Sequence, residues 1–140
     1  MILKRIALNN IRSYENAEVE FPQGSTLLAG DIGSGKTSVL LAIEFALFGL
    51  QPGQKGASLL RSSAKEGKVT LDLEIDNKNI TIERSLIRGK TVSQENARIT
   101  IDDEVKEMSV TELKNIVLSL IRYPQEFAKK SNILYRFTVY

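Results

Sequence analysis

Two residue types that proteins often use for chemistry are missing from this sequence, which contains no cysteine and no histidine. Without cysteine, the chain can form neither a disulfide nor a thiolate zinc site. Without histidine, it lacks the commonest metal ligand and the usual general base near neutral pH. Any catalysis must therefore use carboxylates, lysine, backbone amides and a bound ion.

The sequence also lacks a strong charge of one sign and a long apolar run. Its 19 basic and 17 acidic side chains give a net charge of +2, which is too balanced to indicate nucleic-acid binding. The longest apolar stretch, residues 39–50, is interrupted by Glu44 and is shorter than the ~20 residues that cross a bilayer. The first residues show no secretory signal pattern. We therefore expect a cytoplasmic protein with no membrane contact.

Alternating apolar residues predict most of the strands. In residues 2–8 the side chains of Ile2, Ile6 and Leu8 would share one face, and residues 17–21 alternate in the same way. The polar residues 9–16 are typical of a connection. A short apolar strand is expected at 25–29. Residues 69–75, 80–87 and 98–105 predict an antiparallel meander whose first turn lies at 76–79.

Two longer helices and one long loop are predicted between and after these strands. Residues 39–47 are apolar on nearly every face, as expected of a buried helix. Residues 49–67 form a long, exposed, basic loop, and loops of this length are often functional. Ser109 and Glu112 form a capping box that opens a helix ending near Tyr123. A short helix at 125–130 and a strand at 134–140 would follow.

Residues 30–37 match the phosphate-loop pattern G-x-x-x-x-G-K-[ST] between an apolar strand and an apolar helix. Gly33 and Gly35 leave room for backbone amides to surround phosphate oxygens. Lys36 is expected to reach the β and γ phosphates of ATP as the catalytic residue, and the Thr37 hydroxyl to coordinate Mg²⁺. The predicted nucleotide-binding residues of this segment are Gly30, Ile32, Gly33, Ser34, Gly35, Lys36, Thr37 and Ser38. The alternative is a glycine-rich turn without a ligand.

Hydrolysis in this class of protein also requires an acidic residue that holds Mg²⁺ and a carboxylate that activates water. Asp72, Asp76 and the acidic run 102–104 are better explained as exposed strand or turn residues. The sequence contains no Leu-Ser-Gly-Gly element either. We therefore expect the chain to bind nucleotide without hydrolysing it alone.

Residues 6–14, the phosphate loop and the apolar helix end at 42–49 together resemble a known family. They are similar to the amino-terminal lobe of chromosome-maintenance and recombination ATPases, most closely the double-strand-break repair ATPases of archaea (the Rad-fifty family) and their bacterial SbcC-type relatives. The resemblance covers residues 1–140. It implies an α/β P-loop NTPase of the ABC-ATPase type, as a half-domain with a mixed sheet, an antiparallel meander and flanking helices.

The resemblance also implies ligands and partners. Arg12 and Ser13 would lie beside the base and phosphates of ATP, and the backbone of Ser62, Ser63 and Ala64 would approach the adenine. A carboxy-terminal lobe, absent here with its coiled coil, would supply the acidic strand and signature motif. Two heads would pair around ATP and work with a repair nuclease on double-stranded DNA. The family usually has asparagine where this chain has Ile32, so the contact of that residue is lost or replaced.

Two other functions stay open. The chain could be a self-contained small P-loop NTPase or kinase, although the meander argues against the alternating parallel fold of a kinase. It could also be an interaction module in which ATP joins two lobes without turnover. The basic residues of the loop and the later strands either meet DNA phosphates or are solvated; they are Lys55, Arg61, Lys65, Arg84, Arg88 and Lys90.

Overall fold

The computed structural model describes residues 2–21, 34–51 and 53–120, without the side chains of residues 34–37. The described residues form one sheet, two α-helices and a short 3₁₀-helix at Gly56–Ser58. In chain order the elements are β1 (Ile2–Ile11), β2 (Tyr14–Glu20), α1 (Ser34–Phe48), β3 (Glu66–Ile75), β4 (Lys78–Arg88), β5 (Val92–Gln94), β6 (Ala97–Ile101), β7 (Glu104–Met108) and α2 (Val110–Leu120).

Six strands of the sheet lie in the order β2-β1-β3-β4-β6-β7, and β5 pairs with the end of β4. Every described pair is antiparallel. The α/β fold class and the antiparallel meander are confirmed. The strands predicted at 25–29 and 134–140, which would make the sheet mixed, lie outside the described residues.

The sheet has an apolar inner face and a polar outer face, as the period of two along β3 and β4 predicts. The inner-face side chains of these two strands are almost fully buried. They are Val69, Leu71, Leu73, Ile75, Ile80, Ile82, Arg84 and Leu86. Helix α1 packs against β1, β3 and β4 on this side.

Helix α1 is enclosed on most sides, which explains its lack of a polar stripe. Residues 42–48 are each at most 7% exposed, Glu44 included. Because the helix is surrounded by the sheet and α2, apolar side chains are favourable around its circumference. The prediction of a buried helix is confirmed, and its first residue is Ser34.

Strand β1 differs from the prediction at both ends. Leu3, and not Ile2, is buried, because a β-bulge between Leu3 and Arg5 shifts the alternation. The predicted connection 9–16 is also wrong, since β1 runs to Ile11 and pairs with Tyr14 at the start of β2. Only residues 12 and 13 connect the two strands, because Arg12 adopts a positive φ that closes a tight turn.

The predicted strand 98–105 is in fact the hairpin β6–β7. Both Asp102 and Asp103 have positive φ, of 45° and 71°. Two successive positive φ values are typical of a two-residue hairpin turn that matches the strand twist. The same geometry at Asp76 and Asn77 joins β3 to β4. The predicted turn at 76–79 is therefore confirmed but shorter.

Helix α2 begins after the predicted cap residue Ser109, but the Glu112 carboxylate accepts from the Ser109 hydroxyl, where a capping box predicts the Ser109 amide. The Ser109 hydroxyl accepts a hydrogen bond from the Glu112 amide at 3.2 Å and donates one to the Glu112 carboxylate at 3.1 Å. Leu113, Val117 and Leu118 are the buried side chains of this helix. The structure describes α2 as far as Leu120, and the helix at 125–130 lies outside the described residues.

The segment 49–67 is less exposed than predicted. It contains the 3₁₀-helix, and Gly56, Leu59 and Leu60 are buried. Leu60 forms an isolated antiparallel bridge with Ile11. The two leucines hold the segment to the common core, so only part of it is open to solvent. None of the helices described is long and apolar enough to cross a membrane.

Candidate nucleotide-binding site

The phosphate-loop sequence leads directly into the amino end of α1. Residues 34–37 form the first turn of that helix, and their side chains, like residues 30–33, lie outside the described part. The first amides of a helix have no partner within it and carry a partial positive charge, which suits a phosphate. Ser38, the next residue, is only 2% exposed and already has a hydrogen-bonding or electrostatic partner.

The β1–β2 turn carries Arg12 and Ser13, two of the residues that the family resemblance assigns to the nucleotide. Arg12 has φ of 52°, which non-glycine residues rarely adopt. Its backbone amide donates to the Leu59 carbonyl at 2.7 Å, and its Nη1 lies 3.4 Å from the Ser58 carbonyl oxygen. The unusual conformation is thus held by the last residue of the 3₁₀-helix and the residue after it.

A second set of bonds joins the same turn to the start of residues 61–64. The Arg61 amide donates to the Asn10 carbonyl at 3.0 Å, and its Nη1 donates to the Ser13 carbonyl at 2.7 Å. Gly67 allows the close approach of this region to β1, because a Cβ there would lie 2.8 Å from the Asn10 carbonyl oxygen. The structure therefore places Arg12 and Ser13 next to the segment that contains Ser62, Ser63 and Ala64.

The residues of the segment 62–64 differ in their exposure to solvent. Ser62 and Ser63 are exposed, while Ala64 is half-buried against the core. The Ala64 amide donates to the Arg61 carbonyl, which forms a tight turn. Contacts of these residues with the base remain a prediction, as do the roles of Lys36 and Thr37.

The acidic candidates lie on the outer face of the sheet or are exposed at turns. Asp72 belongs to the outer face, where its carboxylate accepts hydrogen bonds from Arg5 at 2.9 Å and Thr81 at 2.7 Å. Arg5 also binds Glu18 at 2.6 Å, and this hydrogen bond lowers the pKa of Glu18. Asp76 and residues 102–104 are exposed in or beside turns. Within the described residues, no group of three or more acidic side chains could hold a metal ion.

Arg84 overturns one sequence interpretation. The sequence predicts that Arg84 either meets DNA phosphates or is solvated, but it is 1% exposed and lies on the inner face of β4. Its Nε donates to the Ala46 carbonyl at 2.8 Å, near the carboxyl end of α1. Burial lowers its pKa to about 9, so it still carries its proton at neutral pH. The sequence does indicate this burial, because residue 84 alternates in step with Ile80, Ile82 and Leu86, which face the core.

Two other cations of that group are engaged with the backbone rather than free. Arg61 bonds to the Ser13 carbonyl and lies 3.9 Å from the Glu15 carboxylate. Arg88 donates to the carbonyls of Ala64 and Arg61. These arginines organise the segment beside the β1–β2 turn, a role that the sequence interpretation missed.

The fold and the motif at the start of α1 define an α/β P-loop NTPase domain. Residues 5–140 match the family described as AAA domain, and the chain belongs to that family.

The predicted resemblance to archaeal repair ATPases is also confirmed. The chain is 32% identical over 117 residues to the "DNA double-strand break repair Rad50 ATPase" of Thermoplasma acidophilum, covering 84% of this chain and 13% of that protein. It is 36% identical over 90 residues to the protein of the same name from Methanocaldococcus jannaschii, covering 64% and 9%. The chain thus spans a small part of the length of these relatives.

Solved structures support the same fold. The recombination mediator RecF with ATP superposes with a TM-score of 0.61 at 24% identity, covering 79% of this chain and 30% of that one. The SMC head domain of Thermotoga maritima superposes with a TM-score of 0.54 at 22% identity, covering 83% and 42%.

Proposed function

We propose that this chain binds ATP with Mg²⁺ and forms the amino-terminal lobe of an ATPase head that acts in DNA double-strand-break repair. The observation that supports this most strongly is the full phosphate-loop sequence running into the first turn of a buried helix. In this proposal Lys36 contacts the β and γ phosphates, and the Thr37 hydroxyl is a ligand of Mg²⁺. The other binding residues of this segment, which supply amides to the phosphates, are Gly30, Ile32, Gly33, Ser34, Gly35 and Ser38.

The β1–β2 turn is assigned to the base and phosphates of the nucleotide, and the segment after the 3₁₀-helix is assigned to the adenine. Arg12 and Ser13 would contact the nucleotide, and residues 62–64 would approach the adenine. The hydrogen bonds of Arg12 and Arg61 across these two segments support this assignment, because they hold groups that are far apart in sequence against one another. A strained φ at Arg12 is the kind of local cost that often accompanies a binding site.

Turnover is assigned to this lobe together with a carboxy-terminal lobe. Asp72 already binds Arg5 and Thr81 on the outer face, so it is a poor ligand for an ion at α1. A second lobe would supply the acidic strand and the signature motif, and two assembled heads would pair around ATP. The names of the archaeal relatives refer to DNA double-strand break repair, which supports double-stranded DNA as a partner of the assembled head. A repair nuclease as a further partner is implied by the family resemblance alone.

Turnover and self-association measurements test this proposal. The chain alone should hydrolyse ATP at background rate, and adding a separately produced carboxy-terminal lobe should give measurable turnover. In sedimentation, the two-lobe protein should pair with ATP, and not with ADP or with the Lys36→Ala variant.

Ordinary enzyme rates from the isolated chain would instead indicate a self-contained NTPase. ATP-dependent pairing without any turnover would indicate an interaction module. Pairing that is equally strong without nucleotide would contradict the proposal.

A further inference from the structure

One face of β4 carries two arginines, of which one contacts the carboxyl end of α1 and the other contacts the segment beside the β1–β2 turn. Arg84, Leu86 and Arg88 alternate along the strand and so share the inner face. Strand β5 extends this face, since Gln94 pairs with Leu86 and Val92 pairs with Arg88. The hairpin β4–β5 therefore presents polar groups at two positions about four residues apart on one side.

At the first position, Arg84 is hydrogen-bonded to the carboxyl end of α1. Arg84 Nε donates to the Ala46 carbonyl at 2.8 Å, and Nη2 lies 3.4 Å from the Leu47 carbonyl oxygen. The Gly49 amide donates to the Phe45 carbonyl at 2.8 Å. Three successive carbonyls that a helix leaves free at its end are thus satisfied. The positive guanidinium also lies at the negative end of the helix dipole.

The end of α1 is closely packed against the hairpin β4–β5. Gln94 Oε1 accepts the Leu50 amide at 3.1 Å. Gly49 has φ of 76°, and a Cβ there would lie 2.9 Å from Gln94 Oε1 and 3.3 Å from Arg84 Nη1. The end of α1 is therefore fixed to the hairpin both by hydrogen bonds and by close packing.

At the second position, Arg88 is hydrogen-bonded to the segment beside the β1–β2 turn. Arg88 Nε donates to the Ala64 carbonyl at 2.9 Å, and its amide donates to the Lys65 carbonyl at 2.8 Å. Val92 packs against Gly56, where a Cβ would lie only 2.7 Å from Val92 Cγ1. Both ends of the 56–65 segment are thus attached to the same hairpin.

We propose that Arg84 and Arg88 are positioning residues that set the phosphate side and the base side of the nucleotide site from one strand face. The inference rests on the proposed ATP site. Helix α1 rises about 1.5 Å per residue and is stiff along its axis, so a shift at Ala46 reaches the first turn. Arg84 acts on the phosphates through α1, whereas Arg88 acts on the base through residues 61–64.

If the two arginines have these separate roles, substitutions of Arg84 and Arg88 should affect the binding of MgATP and of a ligand without a base differently. MgATP and magnesium tripolyphosphate, which has no base, are titrated calorimetrically into the parent chain and its variants. Arg84→Leu should weaken both ligands by a similar factor, about tenfold or more, because misplacement of binding groups is costly. Arg88→Leu should weaken MgATP about threefold or more and leave tripolyphosphate within about twofold. Lys90→Leu, which removes the same charge from the hairpin tip, should change neither.

Circular dichroism and thermal melts accompany each titration. If Arg84→Leu fails to fold, Arg84→Lys decides, since lysine keeps the charge and one hydrogen bond while losing the two-carbonyl geometry. It should show a smaller loss for both ligands. Folded variants of both arginines that bind both ligands like the parent would overturn the inference, as would equal losses of MgATP and tripolyphosphate in Arg88→Leu. If the parent binds no MgATP, the proposed function itself fails and the inference with it.

Discussion

The two faces of the sheet use arginine in opposite ways. On the outer face Arg5 is partly exposed and pairs with two carboxylates, Glu18 at 2.6 Å and Asp72 at 2.9 Å. On the inner face Arg84 is 1% exposed and makes its hydrogen bonds to the backbone carbonyls at the end of α1. The outer pairs lie in water and are screened by salt, while the inner bonds are not.

This difference indicates where the sheet contributes to stability and to the site. Exposed ion pairs contribute little, because solvent competes with them and long side chains must be ordered. Arg84 offsets part of the cost of burying its charge through the bonds of Nε and Nη2, while Nη1 is buried without a hydrogen-bond partner among the described residues. We therefore expect the inner face to govern folding and nucleotide affinity, and the outer face to tolerate change.

The largest effect should come from truncating the inner face. Leu71 is fully buried in β3, and Leu71→Ala should lower the free energy of unfolding by about 2–5 kcal/mol, from lost burial and the cavity that remains. The matched control is Thr70→Ala, one residue earlier on the outer face, which should change it by about 0.5 kcal/mol or less. Urea unfolding measures both. Similar losses in the two variants would break the contrast between the faces.

A smaller effect is expected from the outer ion pairs. Asp72→Asn removes the charge that pairs with Arg5 and weakens the hydrogen bond from Thr81, so it should cost about 0.5–1 kcal/mol. In 1 M salt most of that difference should disappear, since the charges are then screened. A loss that stays the same at low and high salt would mean that Asp72 acts through packing and not through charge.

The smallest effect should be a gain, at the buried Glu44 of α1. Burial raises the pKa of this carboxyl, because the charged form has lost water. The folded state then holds its proton more tightly than the unfolded state, so stability falls as pH rises from the ordinary carboxyl pKa through the raised one. Glu44→Gln should therefore stabilise the chain at pH 7 by about 0.5 kcal/mol.

The pH dependence of that gain is the check. Thermal melts of Glu44→Gln and the parent should converge below the ordinary carboxyl pKa, where both side chains are neutral. A gain of the same size at low pH would show that the carboxylate is not the cause.

Local patterns in the sequence predicted the faces but not all of the connections. The strict alternation of β3 and β4 fixed which residues are buried, because the period of a strand is two. The positive φ values at Asp102 and Asp103 were not visible in an otherwise apolar-polar run, so one strand was predicted where a hairpin lies. The bulge near Leu3 was missed because it depends on pairing with β3.

The candidate site shows the same limit. The phosphate loop could be recognised because its residue types and spacing follow directly from the shape of the ligand. The contacts of Arg61 with Ser13 and of Arg84 with Ala46 join residues that are 48 and 38 positions apart. No local period encodes such contacts. The alternation along β4 predicts that residue 84 faces the core, but it does not predict that Ala46 is its hydrogen-bond partner.

The most direct test of ATP binding at the phosphate loop is calorimetric titration of ATP into the parent chain, Lys36→Ala and Thr37→Ala, each with magnesium and with a chelator. We expect binding by the parent, no detectable binding by Lys36→Ala with an unchanged circular dichroism spectrum, and a loss in Thr37→Ala that appears mainly with magnesium. An identical Thr37→Ala loss in chelator would remove the metal role of that residue. Equal ATP affinity in Lys36→Ala and the parent would contradict the proposal that the phosphate loop binds ATP.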